Sequence, residues 1–291
     1  MATGNTTTSS LADSIPRVIA AAIIVGEQEG GMQHLVDRQK LGEGVGTTWN
    51  EISLAKLSSA QDITESTVLD NPQQLGDSVL SVEPTVVGIM TVITDRVAAR
   101  ISKNAYARTG ALAQNAIERK KDEDGIAVLD GFSNSYGGAG STLTSGHVGA
   151  AMAVITGNST EPGKAPFRCV LHPYALHDIE DEIVAGVGTY NVGEGLTARV
   201  FSEGFRGMIA GAQVYINGNI TADSSDDAKG GVFAKDAIVL VQGRGPRVVP
   251  VRAEDLGGGA TKLYHYDEYA YAERANHWGG ELYSDCTAPT S

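Results

Sequence analysis

The chain has 291 residues, with 22 Lys and Arg against 35 Asp and Glu and a net charge of −13, enough for one large domain or two modest ones with a substantial core. That acidity excludes broad charge neutralisation as a way of holding nucleic acid, because such binding grows from phosphate contacts by Lys and Arg. The longest apolar run, Val18 to Val25, is far short of the roughly 20 residues of a membrane span and follows Asp13 rather than a basic leader, so neither a span nor a signal peptide is read there.

Residues 1 to 13, MATGNTTTSSLAD, have almost nothing to bury and read as a mobile arm, with a short apolar helix expected after it. TTWNEISLAK, Thr47 to Lys56, predicts a first strand, and VLSVEPTVVGIMTVI, Val79 to Ile93, a second and longer one. The second strand places Leu80, Val82, Val86, Met90 and Val92 on one face, interrupted by Pro84 and Gly88. Proline cannot donate to a sheet ladder, so an edge position or a bulge is expected. At roughly 3.3 Å per residue such a strand reaches about 50 Å, a long apolar edge that offers a template to another chain. The connection LSSAQDITESTVLDNPQQLGDS carries only scattered apolar groups. Connections of that length are uncommon in a compact domain and are usually functional or disordered.

Asp95 to Lys121 follows with seven basic residues (Arg96, Arg100, Lys103, Arg108, Arg119, Lys120, Lys121) against two acids (Asp95, Glu118), a local balance of +5 that leaves −18 for the remainder. Thr94 or Asp95 can cap a helix here, and Val97, Ile101, Ala105 and Leu112 fall on one helical stripe. A continuous helix from Asp95 to Asp122 would be about 42 Å long, against roughly 50 Å for a globule of this size. Gly110 is a place where it could bend. DGIAVLDGF, Asp124 to Phe132, predicts an apolar turn packing back.

Beyond the glycine-rich SYGGAGST the pattern is α/β. Leu143 to Gly157 reads as a helix, Pro166 to Pro173 as a buried strand and Tyr174 to Gly186 as a second helix. Val187 to Gly207 is a loose glycine-rich segment, and Ala212 to Gly218 and Val232 to Gln242 are two more strands. The tail returns to β character: Arg247 to Ala253 and Thr261 to Ala275 flank EDLGGG, a hairpin turn, with Tyr264 and Tyr266 on one face and Tyr269 and Tyr271 on the other.

No catalytic, cofactor or metal site emerges. GEGVG, GGAG and GEG stand in no strand, GxGxxG, helix context and no GxxxxGK[ST] occurs, so flexible connections account for them. His172 and His177 are five apart with Pro173 between them, and the nearby Asp178, Glu180, Asp181 and Glu182 read as a solvated acidic helix. Ser145 and His147 lack a GxSxG elbow; Ser145 reads as a helix cap. Cys169 and Cys286 sit in no CxxC or Cys/His spacing, which fits a reducing, cytoplasmic setting. The tyrosine-rich tail reads as core and cross-strand packing rather than a platform for bases, since Asp267, Glu268 and Glu273 lie beside it. Arg96, Arg100 and Lys103 have two readings that stay open: a solvated face with local ion pairs, or a stripe that meets phosphates.

The order of elements, and above all SVEPTVVGIMTVITDRVAARI running into ALAQNAIERKKDEDGIAVLDGF, with the later GVFAKDAIVLV, resembles the major capsid proteins of tailed bacteriophages. The resemblance implies an α+β chain with the Hong Kong 97 fold: an N-terminal arm at 1–44, an extended β-hairpin loop at 45–94, a peripheral domain with its spine helix at 95–140, an α/β axial domain at 141–242, and a return to the peripheral domain and C-terminus at 243–291. It also implies a homo-oligomer of hexamers and pentamers forming an icosahedral shell around double-stranded DNA, held by non-specific contact. Separate scaffolding, portal and decoration proteins are the expected partners, and the place is the virion, assembled in the host cytoplasm with no membrane. Barely 45 residues precede the first strand, so a scaffold would be a separate protein or absent. Some relatives crosslink a loop lysine; Lys56 could occupy such a loop, but no partner matches it and no crosslink is expected. A protein-cargo compartment of the same fold and, further off, an α/β nucleotide-binding enzyme are the alternatives.

Overall fold

Two apolar periodicities, one of two residues and one near 3.6, divide the chain between sheets and helices. The structure is a computed structural model describing residues 31–289 except 45, 58, 61, 66–71, 101–102, 188–206 and 257, with no side-chain description at 103–109 and 183–187. Residues 1–30 of the expected 1–44 arm, with the apolar run Val18 to Val25, and nearly all of the Val187 to Gly207 segment lie outside the described residues.

The elements are α1 (Met32–Leu35), β1 (Asp37–Lys40), β2 (Trp49–Leu54), β3 (Asp77–Val82), β4 (Thr85–Thr94), α2 (Asp95–Ala98), α3 (Lys103–Ala127), β5 (Ser135–Gly137), α4 (Ser145–Gly157), β6 (Phe167–Leu171), α5 (Pro173–Val187), β7 (Met208–Ile209), β8 (Ala212–Ile216), β9 (Asp227–Ala234), β10 (Ile238–Gln242), β11 (Arg247–Ala253), β12 (Ala260–Glu273) and β13 (Gly279–Asp285). β12 is the axis of a five-stranded sheet. It pairs antiparallel with β10 and β11 along one side and with β4 along the other, while β1 runs parallel to β10 at the edge. A six-stranded sheet has the order β5-β13-β9-β6-β8-β7, and β2 and β3 form a separate two-stranded sheet.

One apolar core joins the two larger sheets. It runs from Met32 and Leu35 through Leu129 and Phe132 to Val148, Ile155, Leu176 and Ile179, with Leu240 and Tyr269 on the five-stranded side. α3 lies against β12, turning Ala113 and Ile117 inward, and ends in a 3-10 turn, Val128–Gly131, that buries Leu129.

The middle and the tail match the expected elements closely at α4, β6, α5, β8, β11 and β12. Three expectations need correction. The predicted strand Val79 to Ile93 is two strands: Glu83 and Pro84 interrupt it, because the proline cannot donate, and β3 and β4 then pair with different partners. Its apolar residues accordingly do not share one fate, since Val82 and Val92 are buried and Val86 and Met90 exposed. β4 is paired along its full length, Thr85 to Thr94 with Tyr269 to Ala260, so only its outer side is an open edge. The predicted helix Asp95 to Asp122 is likewise two pieces. α2 ends in a turn at Ala99 and Arg100, and α3 begins afresh at Lys103 and runs through Gly110 to Ala127. Leu112, expected on the packed stripe, is exposed. The predicted strand Val232 to Gln242 is split by a 3-10 turn, Lys235–Ala237, into β9 and β10, which belong to different sheets. α1, β1, β5 and β13 have too few apolar residues in period to be read from sequence.

Glycine matters most at Gly88, where an added Cβ would fall 2.8 Å from Cδ1 of Tyr266 on the paired strand. The residue that interrupts the β4 pattern is therefore the one that lets the Tyr266 ring lie across it.

Candidate assembly surface

The β2–β3 hairpin sets its cross-strand pairs so that Trp49–Val82 and Glu51–Leu80 share one face, and Ile52–Val79 and Leu54–Asp77 the other. The first face anchors the hairpin. Val82, with Trp49 and Leu80, packs on Val239 and Val241 of β10. Arg274, just beyond β12, completes the joint: its Nε donates to Glu51 Oε2 at 2.8 Å, Nη2 to Asp37 Oδ2 at 2.8 Å and Nη1 to the Asp236 carbonyl at 2.8 Å. One guanidinium thus ties β1, β2 and the turn before β10 together. Burial alone would push the Asp37 carboxyl up, but hydrogen bonds from Arg274 and Gln39 and the Arg274 charge outweigh it and hold the group below its ordinary value of 3.8. A groove of about 610 Å³ separates the hairpin from the 3-10 turn Asn276–Trp278 and is lined by Leu54, Leu80, Glu161, Arg274 and Trp278. Across it Lys56 Nζ donates to the Ser159 carbonyl at 3.2 Å, so that side chain is engaged within its own chain.

The second face, which borders the same groove at Ile52, Leu54 and Val79, is largely exposed among the described residues. Ile52 is 66% exposed, Leu54 62% and Val79 56%, and Leu57, Ile63 and Leu75 are exposed beyond them. An isolated two-stranded sheet is marginal in water, and apolar cross-strand pairs turned to solvent add nothing to it. A contiguous exposed apolar patch of this kind marks a surface meant for another molecule.

Three of the seven basic residues of the segment are paired within the chain. Arg119 pairs with Glu123 at 3.9 Å, Lys120 pairs with Asp124, and Lys121 makes a buried ion pair with Asp267 at 3.0 Å. Lys121 also lies 4.9 Å from the Tyr269 ring centroid. Asp122, equally buried, accepts from the Met32 N–H at 2.8 Å and from the side-chain amides of Asn217 and Asn219 at 2.6 and 2.9 Å. α3 is therefore fixed through charge to β12, to the start of the described chain and to the loop after β8. Of the three stripe residues, Arg96 and Arg100 are exposed and make no ion pair with a described residue, and Lys103 opens α3 with its side chain outside the description. Arg96 lies in α2, Arg100 in the turn after it and Lys103 at the start of α3, so the three do not share one regular helix among the described residues.

The other candidates have structural partners. Thr144, not Ser145, is the N-cap of α4: its N–H donates to His147 Nδ1 at 3.2 Å, while the Ser145 N–H donates to Glu182 at 2.6 Å and so joins α4 to α5. His172 accepts from the Tyr174 N–H at 3.2 Å and burial pushes its pKa down, whereas His177 lies 3.7 Å from Asp181. Among the described residues no group of three His, Cys, Asp or Glu is placed to hold a metal ion. Cys169 and Cys286 are free and buried, and burial pushes their thiols up to about 12 and about 11. Gly137, Gly138 and Gly140 all have positive φ, as a turn requires, and the Gly140 N–H is bound by Asp227 at 2.6 Å. Tyr264 and Tyr266 stack at 6.0 Å, and Tyr269 and Tyr271 meet edge to face at 6.1 Å. Sequence reasoning missed Arg274 and Asp122, whose partners are scattered along the chain with no spacing that could reveal them.

No family model matches the chain, and no curated protein sequence does. Solved structures do. The head structure of Helicobacter pylori bacteriophage KHP40 is similar at a TM-score of 0.70 and 11% identity, over 97% of this chain and 98% of that one. The capsid of the cyanophage P-SCSP1u is similar at 0.68 and 12%, over 95% of each chain, and a chain of Mycobacterium phage Che8 at 0.67 and 15%, over 90% of this chain and 94% of that one. Matched nearly end to end by these structures, the chain has the α+β Hong Kong 97-like fold of tailed-phage major capsid proteins.

Proposed function

We propose that this chain is the major subunit of an icosahedral shell, assembling as hexamers and pentamers around double-stranded DNA. The observation that carries this reading is the β2–β3 hairpin: it projects an apolar face that is largely exposed among the described residues, on a fold whose neighbours are phage heads and capsids. In this reading the five-stranded sheet with α3 is the peripheral domain, and the six-stranded sheet with α4 and α5 is the axial domain. Residues 45–82 are the extended loop. Function then resides in association, where many modest contacts between identical copies sum to a stable closed assembly. The chain's charge of −13 keeps packed DNA from adhering broadly to the wall.

Assembly mass is the test. The purified chain, alone or with a scaffolding partner, is expected to form closed shells visible by electron microscopy and sedimentation. Deleting Ser58 to Asp77 should leave a folded subunit that forms none. A chain that stays at one-subunit mass under every condition, or a deletion that assembles unimpaired, would overturn the reading.

A further inference from the structure

Asn217–Gly218 is the only Asn–Gly pair in the 291 residues. It stands in the turn that follows β8, where Asn217 is 4% exposed. The Asn217 N–H donates to the Leu171 carbonyl at 2.9 Å, its amide oxygen accepts from the Asn219 N–H at 2.9 Å, and its Nδ2 donates to Asp122 Oδ2 at 2.6 Å. Asn219 Nδ2 reaches the same oxygen at 2.9 Å, and the Met32 N–H donates to Oδ1 at 2.8 Å. Asp122 is 2% exposed, and an ionised carboxylate can only accept. The tie between α3 and the turn after β8 therefore needs residue 217 to be a donor.

That donor is chemically labile. Glycine has no Cβ, so in an open chain the Gly218 nitrogen approaches Asn217 Cγ unhindered. The N–Cγ bond forms as the Cγ–Nδ2 bond breaks, and the proton of the Gly218 nitrogen leaves with Nδ2 as ammonia. Water then opens the cyclic imide to aspartate or to its β-linked isomer. The attack needs Cγ to swing toward the backbone, which the bonds to Asp122 and Asn219 prevent in the fold. We propose that Asn217–Gly218 is a modification site that the fold keeps closed, and that a chain converted there while open is refused its native place beside Asp122. In the product an acceptor stands where a donor stood, and two buried like charges face each other. Either one of them takes up a proton or the turn after β8 comes away from α3. Because α3 packs on the five-stranded sheet and β8 belongs to the six-stranded one, the lesion falls where the two halves of the subunit join. Chains that linger unfolded are thereby marked and kept out of the native population. The inference stands on the fold alone and holds whether or not the chain forms shells.

The test compares the purified chain in buffer and in urea at mildly alkaline pH, following the peptide that spans Asn217 by mass spectrometry. Conversion of amide to acid should be about a hundredfold or more slower in the folded chain, because it waits on opening. Equal rates would overturn the closed site. Gly218→Ala should slow the conversion in urea, and an unchanged rate there would mean that no imide forms and would overturn it as well. Asn217→Asp should lower the urea midpoint of the subunit by about 1 M or more. Asn217→Asp with Asp122→Asn should recover more than half of that loss, since amide and carboxylate then trade places. A midpoint left unchanged by Asn217→Asp, or a loss that the exchange does not recover, would overturn the exclusion of the product. Should Asn217→Asp yield no folded subunit, the exchanged chain carries the test: its folding supports the clash, and its failure to fold overturns it.

Discussion

Lys121 shows how far a single residue can depart from the meaning of its neighbourhood. By sequence it closes a basic segment and counts toward a charged surface. In the fold it is buried against Asp267, with Gln242 Nε2 at 3.3 Å and the Glu268 N–H at 2.9 Å completing the carboxylate. Charge is legible in a sequence; the direction a side chain points is legible only if the helix phase is known, and the expected start at Asp95 is not the start of α3. Removing one member of such a pair leaves the other charged and dry, a cost of about 3–5 kcal/mol, whereas replacing both with apolar groups of like volume is often close to neutral. Lys121→Ala should therefore destabilise the unassembled subunit by several kcal/mol in denaturant unfolding, and Lys121→Met with Asp267→Leu should recover more than half of that loss. Equal destabilisation in the double variant would mean that the pair is held by geometry the apolar residues cannot reproduce.

Between elements, the hairpin joint is the point where sequence and structure diverge most. Composition predicted both strands and the long connection between them, and Pro84 marked the interruption. It could not show that β3 and β4 diverge at that proline, one into a free hairpin and one into the main sheet, because pairing partners lie up to 184 residues away in the chain and leave no local trace. Nor could it find Arg274, whose contacts to Asp37 and Glu51 fix the hairpin to the body. Arg274→Gln should free the base of the hairpin without unfolding the sheets: amide exchange should quicken in β1, β2 and β3 and stay slow in β6, β9 and β13. The joint is also acid-sensitive in a stated direction. Because the Asp37 carboxyl is held below 3.8 in the fold, its contribution is fully present above the ordinary value and is lost as pH falls through the lower folded value. Exchange in β1 and β2 should thus be independent of that group from neutral pH to about 5, after allowance for the intrinsic rate, and accelerate below about 4. Acceleration already near pH 6 would point to a different titrating group.

At the scale of the molecule, the net charge and the apolar association proposed for the hairpin face pull assembly in opposite directions, and salt separates them. Copies that each carry −13 repel over distances set by the Debye length, about 30 Å at 0.01 M, 10 Å at 0.1 M and 3 Å at 1 M. Raising salt from 0.01 to 0.1 M therefore screens repulsion between whole subunits while leaving apolar contacts untouched, and raising it further has little repulsion left to remove. Assembly of the unmodified chain, followed by light scattering, should speed up over the first range and hold that rate toward 1 M. A chain that slows from the lowest salt upward would show that attraction between charges at the contacts outweighs the charge of the whole subunit, and that ion pairs rather than the apolar hairpin face carry the association.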